Sequence, residues 1–281
     1  MSSRQFRQVD VFTDTPYRGN PLAVVLGSGG AGFDEISDEQ MRQFANWTNL
    51  SETTFVLPPR AAGADYWVRI FTPTSELPFA GHPTLGTCHA WLEAGGRPVR
   101  AGQVVQECGA GLITIRQDDA GLAFAAPPLV REGPVAAEVA EQVAGMLNIS
   151  RADIVDIAWA DNGPGWVAVL LADADAVLAV RPGTVSMDIG VAGLYPAEAP
   201  EALEVRAFSG QVSTVEDPVT GSLNASVAQW LIGTGRLKAP YVASQGTVMG
   251  RRGRVRITQD DDGQVWVGGS VVTCISGTVE I

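Results

Sequence analysis

His82-Pro83-Thr84-Leu85-Gly86-Thr87 and Asp217-Pro218-Val219-Thr220-Gly221-Ser222 carry one pattern, x-Pro-x-x-Gly-Ser/Thr, twice in a single chain. Each copy follows a strand-like run, Val68-Arg69-Ile70-Phe71 in the first and Val205-Arg206-Ala207-Phe208 in the second. Each also leads into an amphipathic apolar helix, expected over residues 84–94 and 222–232. Glycine stops close both, Gly95-Gly96 and Gly233-Thr234-Gly235. A spacing of ~140 residues is too long for a solenoid repeat. Duplication of one α+β domain is the economical reading.

Working outward, residues 7–11 and 20–26 read as two strands around a turn marked by Asp14, Pro16, Gly19, Asn20 and Pro21. The run from Val9-Asp10 to Val25 finds an echo in the run from Val155-Asp156 to Leu170. Between the first strands and the next lies Gly27-Ser-Gly-Gly-Ala-Gly32. It lacks the GxGxxG register and any Gly-Lys-Ser/Thr ending, so it reads as a surface loop and not a nucleotide site. Ser37 with Gln40 forms a capping-box signature for a helix over residues 38–47. Strands are expected at 53–57, 66–71 and 122–124. The Ala125-Ala126-Pro127-Pro128 run has linker composition. The expected domains are 1–126 and 127–281, with the final strand free to return to the first, and the site is expected in the cleft between them.

Composition narrows the class. With 46% hydrophobic and 18% charged residues the chain can bury a sizeable core. A formal charge of −12 argues against nucleic acid, whose binding rests on clustered Lys and Arg. The one basic run, Arg251, Arg252, Arg254 and Arg256, reads as an exposed turn leading into a strand, in which Arg254 and Arg256 alternate with Val255 and Ile257. No apolar stretch reaches the ~20 residues of a membrane span and the start lacks a signal-peptide core, so a cytoplasmic protein is expected. Cys88, Cys108 and Cys274 show neither CxxC spacing nor neighbouring histidines. They read as small buried side chains, with no disulfide framework and no metal site.

Two helix starts preceded by Pro and Gly offer free backbone N–H groups and positive dipole ends, which suit a carboxylate. His82, one of two histidines, falls on the loop before the first of them; His89 lies within the helix and reads as structural. Asn49-Leu-Ser-Glu-Thr-Thr-Phe55 places Glu52 at the entry of an apolar strand. Burial there would favour the protonated carboxyl, the property a general acid/base needs near neutral pH.

These segments, together with Gln8-Val-Asp-Val-Phe-Thr13, Gly19-Asn-Pro-Leu-Ala-Val-Val25, Glu76-Leu-Pro-Phe-Ala-Gly-His82 and Glu216-Asp-Pro-Val-Thr-Gly-Ser222, resemble the PhzF-like phenazine-biosynthesis family over essentially the whole chain. The resemblance implies a diaminopimelate epimerase-like α+β fold, two similar domains each with a barrel-like sheet around a central helix. It implies an isomerase without metal or organic cofactor that acts on a small-molecule carboxylate, the family's named substrate being trans-2,3-dihydro-3-hydroxyanthranilate. A homodimer is implied as well. By motif, the catalytic glutamate falls on Glu52, with His82 and Asp217 as its partners. Ser51, Gly81, Gly221 and Ser222 fall in the substrate-binding set.

Related racemases use two opposed cysteines, and neither site loop here carries one. Two other readings compete: an epimerase using Glu52 and Asp217 as a carboxylate pair, and a non-catalytic binding member of the family. Trp47, just ahead of the glutamate motif, either packs on the core or shapes the pocket.

Overall fold

The computed structural model describes residues 2–27, 36–210 and 216–281. The glycine-rich run 27–32 lies, beyond Gly27, outside them. The chain divides into two compact units, Met1–Ala125 with Gly268–Ile281, and Ala126–Val267.

In the first unit the elements are β1 (Ser3–Val11), β2 (Asn20–Val25), α1 (Asp38–Thr48), β3 (Thr53–Leu57), β4 (Tyr66–Phe71), β5 (Glu76–Leu77), α2 (Gly81–Glu93), β6 (Gln103–Cys108), β7 (Gly111–Asp118) and β8 (Gly121–Ala125). The second unit holds β9 (Arg131–Pro134), α3 (Ala137–Leu147), β10 (Asp156–Asp161), β11 (Val167–Leu170), α4 (Ala174–Ala179), β12 (Ile189–Leu194), β13 (Leu203–Phe208), β14 (Glu216–Asp217), α5 (Gly221–Gly233), β15 (Tyr241–Gln245) and β16 (Gly253–Gln259). β17 (Val265–Gly269) carries the chain back to the first unit, where β18 (Val271–Glu280) pairs antiparallel with β1.

One ladder order occurs twice. β2–β3 and β11–β12 are parallel, β3–β4 and β12–β13 antiparallel, β4–β5 and β13–β14 antiparallel, and β4–β6 and β13–β15 parallel. Register fixes which residues correspond. Phe71 faces both Thr53 and Glu76, and Phe208 faces both Ile189 and Glu216. Glu76-Leu-Pro-Phe-Ala-Gly-His82 therefore corresponds to Glu216-Asp-Pro-Val-Thr-Gly-Ser222, and Gly81 and Gly221 open their helices alike.

The sequence alignment of His82 with Asp217 is thus corrected: His82 corresponds to Ser222, and Asp217 to Leu77. The echo of Asp10 in Asp156 shifts as well. Asp10 accepts from the backbone N–H of Arg18 and Gly19, and Asp161 does the same from Gly163 and Gly165 in the matching turn.

The same equivalence appears in an ion pair. Arg69 grips Glu76 through Nε and Nη2, both at 2.7 Å, and Arg206 grips Glu216 the same way at 2.8 Å. Each fork ties a long strand to the short one that leads into a central helix.

Both central helices are buried nearly all round, so the expected amphipathic pattern does not hold. From Gly81 to Cys88 every residue of α2 is buried, and it touches β1, β2, β3, β6, β8 and β18. Residues Leu223–Ala228 of α5 are buried in turn. With no charge in their first turns, these segments gain by full enclosure instead of burying one face. α1 covers an outer core of Val25, Met41, Ala45, Phe55 and Phe71. The expected Ser37–Gln40 capping box closes its start, and Asn49 at φ 54° ends it. Cys88 and Cys108 are buried as expected, whereas Cys274 is half-exposed on β18. Arg254 and Arg256 alternate with buried Val255 and Ile257 on β16. Among the described residues no helix is long and apolar enough to cross a membrane.

Candidate active site

In the first unit, the sharp end of α1 at Asn49 delivers Glu52 to the residue before β3, where its side chain is 16% exposed. His82 is the second residue of α2 and not a loop residue, because the helix begins three residues earlier than its apolar pattern suggests. Its Nε2 lies 3.3 Å from Glu52 Oε2. That N–H is not aligned on the oxygen, and Nε2 makes no hydrogen bond among the described residues. A buried ring nitrogen left so is a place a ligand would satisfy. On its other side Nδ1 lies 3.4 Å from Nδ2 of Asn20, itself fully buried at the start of β2. Burial holds the His82 imidazole neutral, with its pKa lowered to about 3. Gly81 is buried beside it, and Ser51 is exposed on the bend before Glu52.

In the second unit, Asp217 closes β14, and its Oδ2 accepts from Thr220 Oγ1 at 2.5 Å. Gln245 buttresses this turn from β15. Its Oε1 accepts from Thr220 N and Asn224 Nδ2, while its Nε2 donates to Asp217 O and Thr220 Oγ1. Gly221 is buried at the first helical position and Ser222 is half-buried at the second. Trp166 Nε1 donates to Ser222 Oγ at 3.1 Å, and Asn162 Nδ2 donates to Ser222 O at 3.0 Å.

Each unit therefore gathers its share of the expected residues around the start of its central helix. Four residues not singled out as site residues join them: Asn20, Asn162, Trp166 and Gln245. Their signal was the duplication itself, since Asn20 opens β2 and Trp166 directly precedes β11, the strand that matches β2. By ladder register the place of Glu52 is taken in the second unit by Asp188, a buried residue whose Oδ1 accepts from Ser209 Oγ at 2.6 Å. Trp47 is 79% exposed and leans on Phe44 at a ring distance of 6.2 Å. His89 meets Thr273 Oγ1 at 3.1 Å, which suits a structural role.

Burial pushes the Cys88 thiol up to about 12 and raises that of Cys108 as well, which leaves neither as a thiolate near neutral pH. Among the described residues no three His, Cys, Asp or Glu side chains cluster as metal ligands would.

Residues 9–277 match the family model described as "Phenazine biosynthesis-like protein". The chain is 35% identical to the fission yeast Schizosaccharomyces pombe protein "Antisense-enhancing sequence 1", covering 99% of each. It is 34% identical to a "Trans-2,3-dihydro-3-hydroxyanthranilate isomerase" of Pseudomonas fluorescens, covering 86% of each. Among solved structures, a PhzF-family phenazine biosynthesis protein of Bacillus anthracis matches at a TM-score of 0.83, with 24% identity over 100% of both chains. The fold is the mixed α+β, diaminopimelate epimerase-like one, shared at greater distance with racemases and epimerases.

Proposed function

The chain belongs to the phenazine biosynthesis-like protein family, and on that premise we propose that it is an isomerase that moves a proton within a small cyclic carboxylate, with Glu52 as general acid and base. The observation that carries this reading is the half-buried Glu52 carboxylate held 3.3 Å from a neutral imidazole.

Taking trans-2,3-dihydro-3-hydroxyanthranilate as the test substrate, Glu52 removes the C3 proton. The electron pair of the broken C–H bond spreads through the ring diene to C1. The carboxylic acid so formed on Glu52 returns the proton there. Because burial resists a charge on His82, the imidazole does not draw this proton off Glu52, and one carboxyl serves both steps. His82 and Asp217 orient ring substituents, with Ser51 and Gly81 beside the acid/base. Gly221 and Ser222, at the start of α5, hold the substrate carboxylate through N–H and hydroxyl donors. The chemistry calls for neither metal nor organic cofactor.

The test is NMR of this substrate in deuterated buffer with wild-type protein and Glu52→Gln, following loss of the C3 proton and arrival of hydrogen at C1. Conversion by the wild type alone supports the reading. Unaltered turnover by the variant removes Glu52 from the mechanism, and no conversion by either removes this substrate.

A further inference from the structure

Under the second residue of each central helix stands a nitrogen that can only donate. Asn20 Nδ2 faces Nδ1 of His82, and Trp166 Nε1 faces Oγ of Ser222. Both residues are buried, Asn20 at 0% and Trp166 at 4% exposure, so water does not compete for these contacts. An amide NH2 and an indole N–H carry protons and accept none. The atoms they face must therefore be acceptors.

That fixes the polarity of what remains. A neutral imidazole has one N–H, so accepting at Nδ1 leaves the proton on Nε2. A serine oxygen that accepts from below keeps its own proton for another partner. We propose that Asn20 and Trp166 are positioning residues that set His82 and Ser222 as proton donors, through Nε2–H and O–H, each toward acceptor oxygens of a bound ligand. Such a pair favours substituents bearing carboxylate, carbonyl or enolate oxygens over those that can only donate. What the donors serve rests on the isomerase reading; the tautomer does not.

The test is 15N–1H NMR of the uniformly labelled, full-length protein at about neutral pH, where two imidazoles have to be distinguished and His89→Gln assigns them. The wild type should show His82 neutral with its proton on Nε2. Asn20→Asp replaces the donor with a pure acceptor. It should move the proton to Nδ1 and lower kcat for trans-2,3-dihydro-3-hydroxyanthranilate about a hundredfold with KM little changed. Trp166→Phe should weaken binding of anthranilate, the probe carboxylate, about tenfold.

A wild-type proton on Nδ1, or a tautomer that Asn20→Asp leaves in place, overturns the inference even if the substrate is converted. An Nε2–H ring in a protein that converts nothing removes this substrate and leaves the tautomer standing. Should Asn20→Asp not fold, the wild-type spectrum alone decides.

Discussion

Nε2 of His82 and Oε2 of Glu52 lie 3.3 Å apart, one carried by the first turn of a buried helix and the other by the link into a strand of the same unit. Because burial keeps the ring neutral down to about pH 3, the imidazole carries no charge through the working range. The pH profile of kcat/KM should show no inflection at the ordinary histidine value of about 6.5. Stopped assays between about pH 5 and 8 read this directly.

The same burial makes an acid-stability prediction. Below about pH 6.5 the unfolded chain takes up a proton on residue 82 that the native ring refuses until about 3. The unfolded state then binds more protons, so stability falls as pH drops through that window, by up to ~1.4 kcal/mol per unit from this group. Above 6.5 it contributes no slope. His82→Gln should flatten the acid limb of a urea-midpoint series, and an unchanged limb would assign it to other groups.

The two Arg–Glu forks should differ in strength. Arg206 and Glu216 side chains are 3% and 15% exposed, and Arg206 Nη1 also donates to the carbonyls of Val177 and Val180. Glu216→Gln strands a buried guanidinium and should cost ~3–5 kcal/mol. Glu76 is 36% exposed, and Arg69 keeps a second partner in Asp38, so Glu76→Gln should cost ~1 kcal/mol or less. Denaturant unfolding of both variants measures the contrast.

Glycines in two helices should respond with opposite sign. A Cβ on Gly86 in α2 would approach Leu22 Cδ2 to 2.6 Å and Val11 Cγ2 to 2.9 Å, where the helix lies against β1 and β2. Gly86→Ala should destabilise by ~1–3 kcal/mol. Gly145 in α3 has nothing within 4 Å of its would-be Cβ. Gly145→Ala should stabilise by ~0.5–1 kcal/mol. Thermal melts of the two variants should move in opposite directions.

Local chemistry made much of the fold legible. The Ser37–Gln40 box, the alternating strand after Arg252 and the Val-Arg-x-Phe runs could each be read because the signal lies within a few neighbouring residues. Pairing the two halves was harder. Pro-x-x-Gly recurs at both helix starts, and text alone does not say which proline matches which.

The match is decided by ladder register, through Phe71 opposite Glu76 and Phe208 opposite Glu216. That register sets Leu77, and not His82, against Asp217. The roles of Asn20 and Trp166 are hard to read for a related reason: their own neighbourhoods mark a turn and a strand and no more. They acquire meaning from a helix start that lies 62 residues away from Asn20 and 56 from Trp166.

The pairing of β1 with β18 imposes an order in time. β1 leaves the ribosome ahead of the whole second unit, yet the strand that covers it begins at Val271. At about 5–20 residues per second, that edge waits tens of seconds while the entire second unit is made. A bare strand edge invites foreign pairing. The first unit to be translated is thus the last to be completed, and a nascent chain stalled short of Val271 should be the form that chaperones hold.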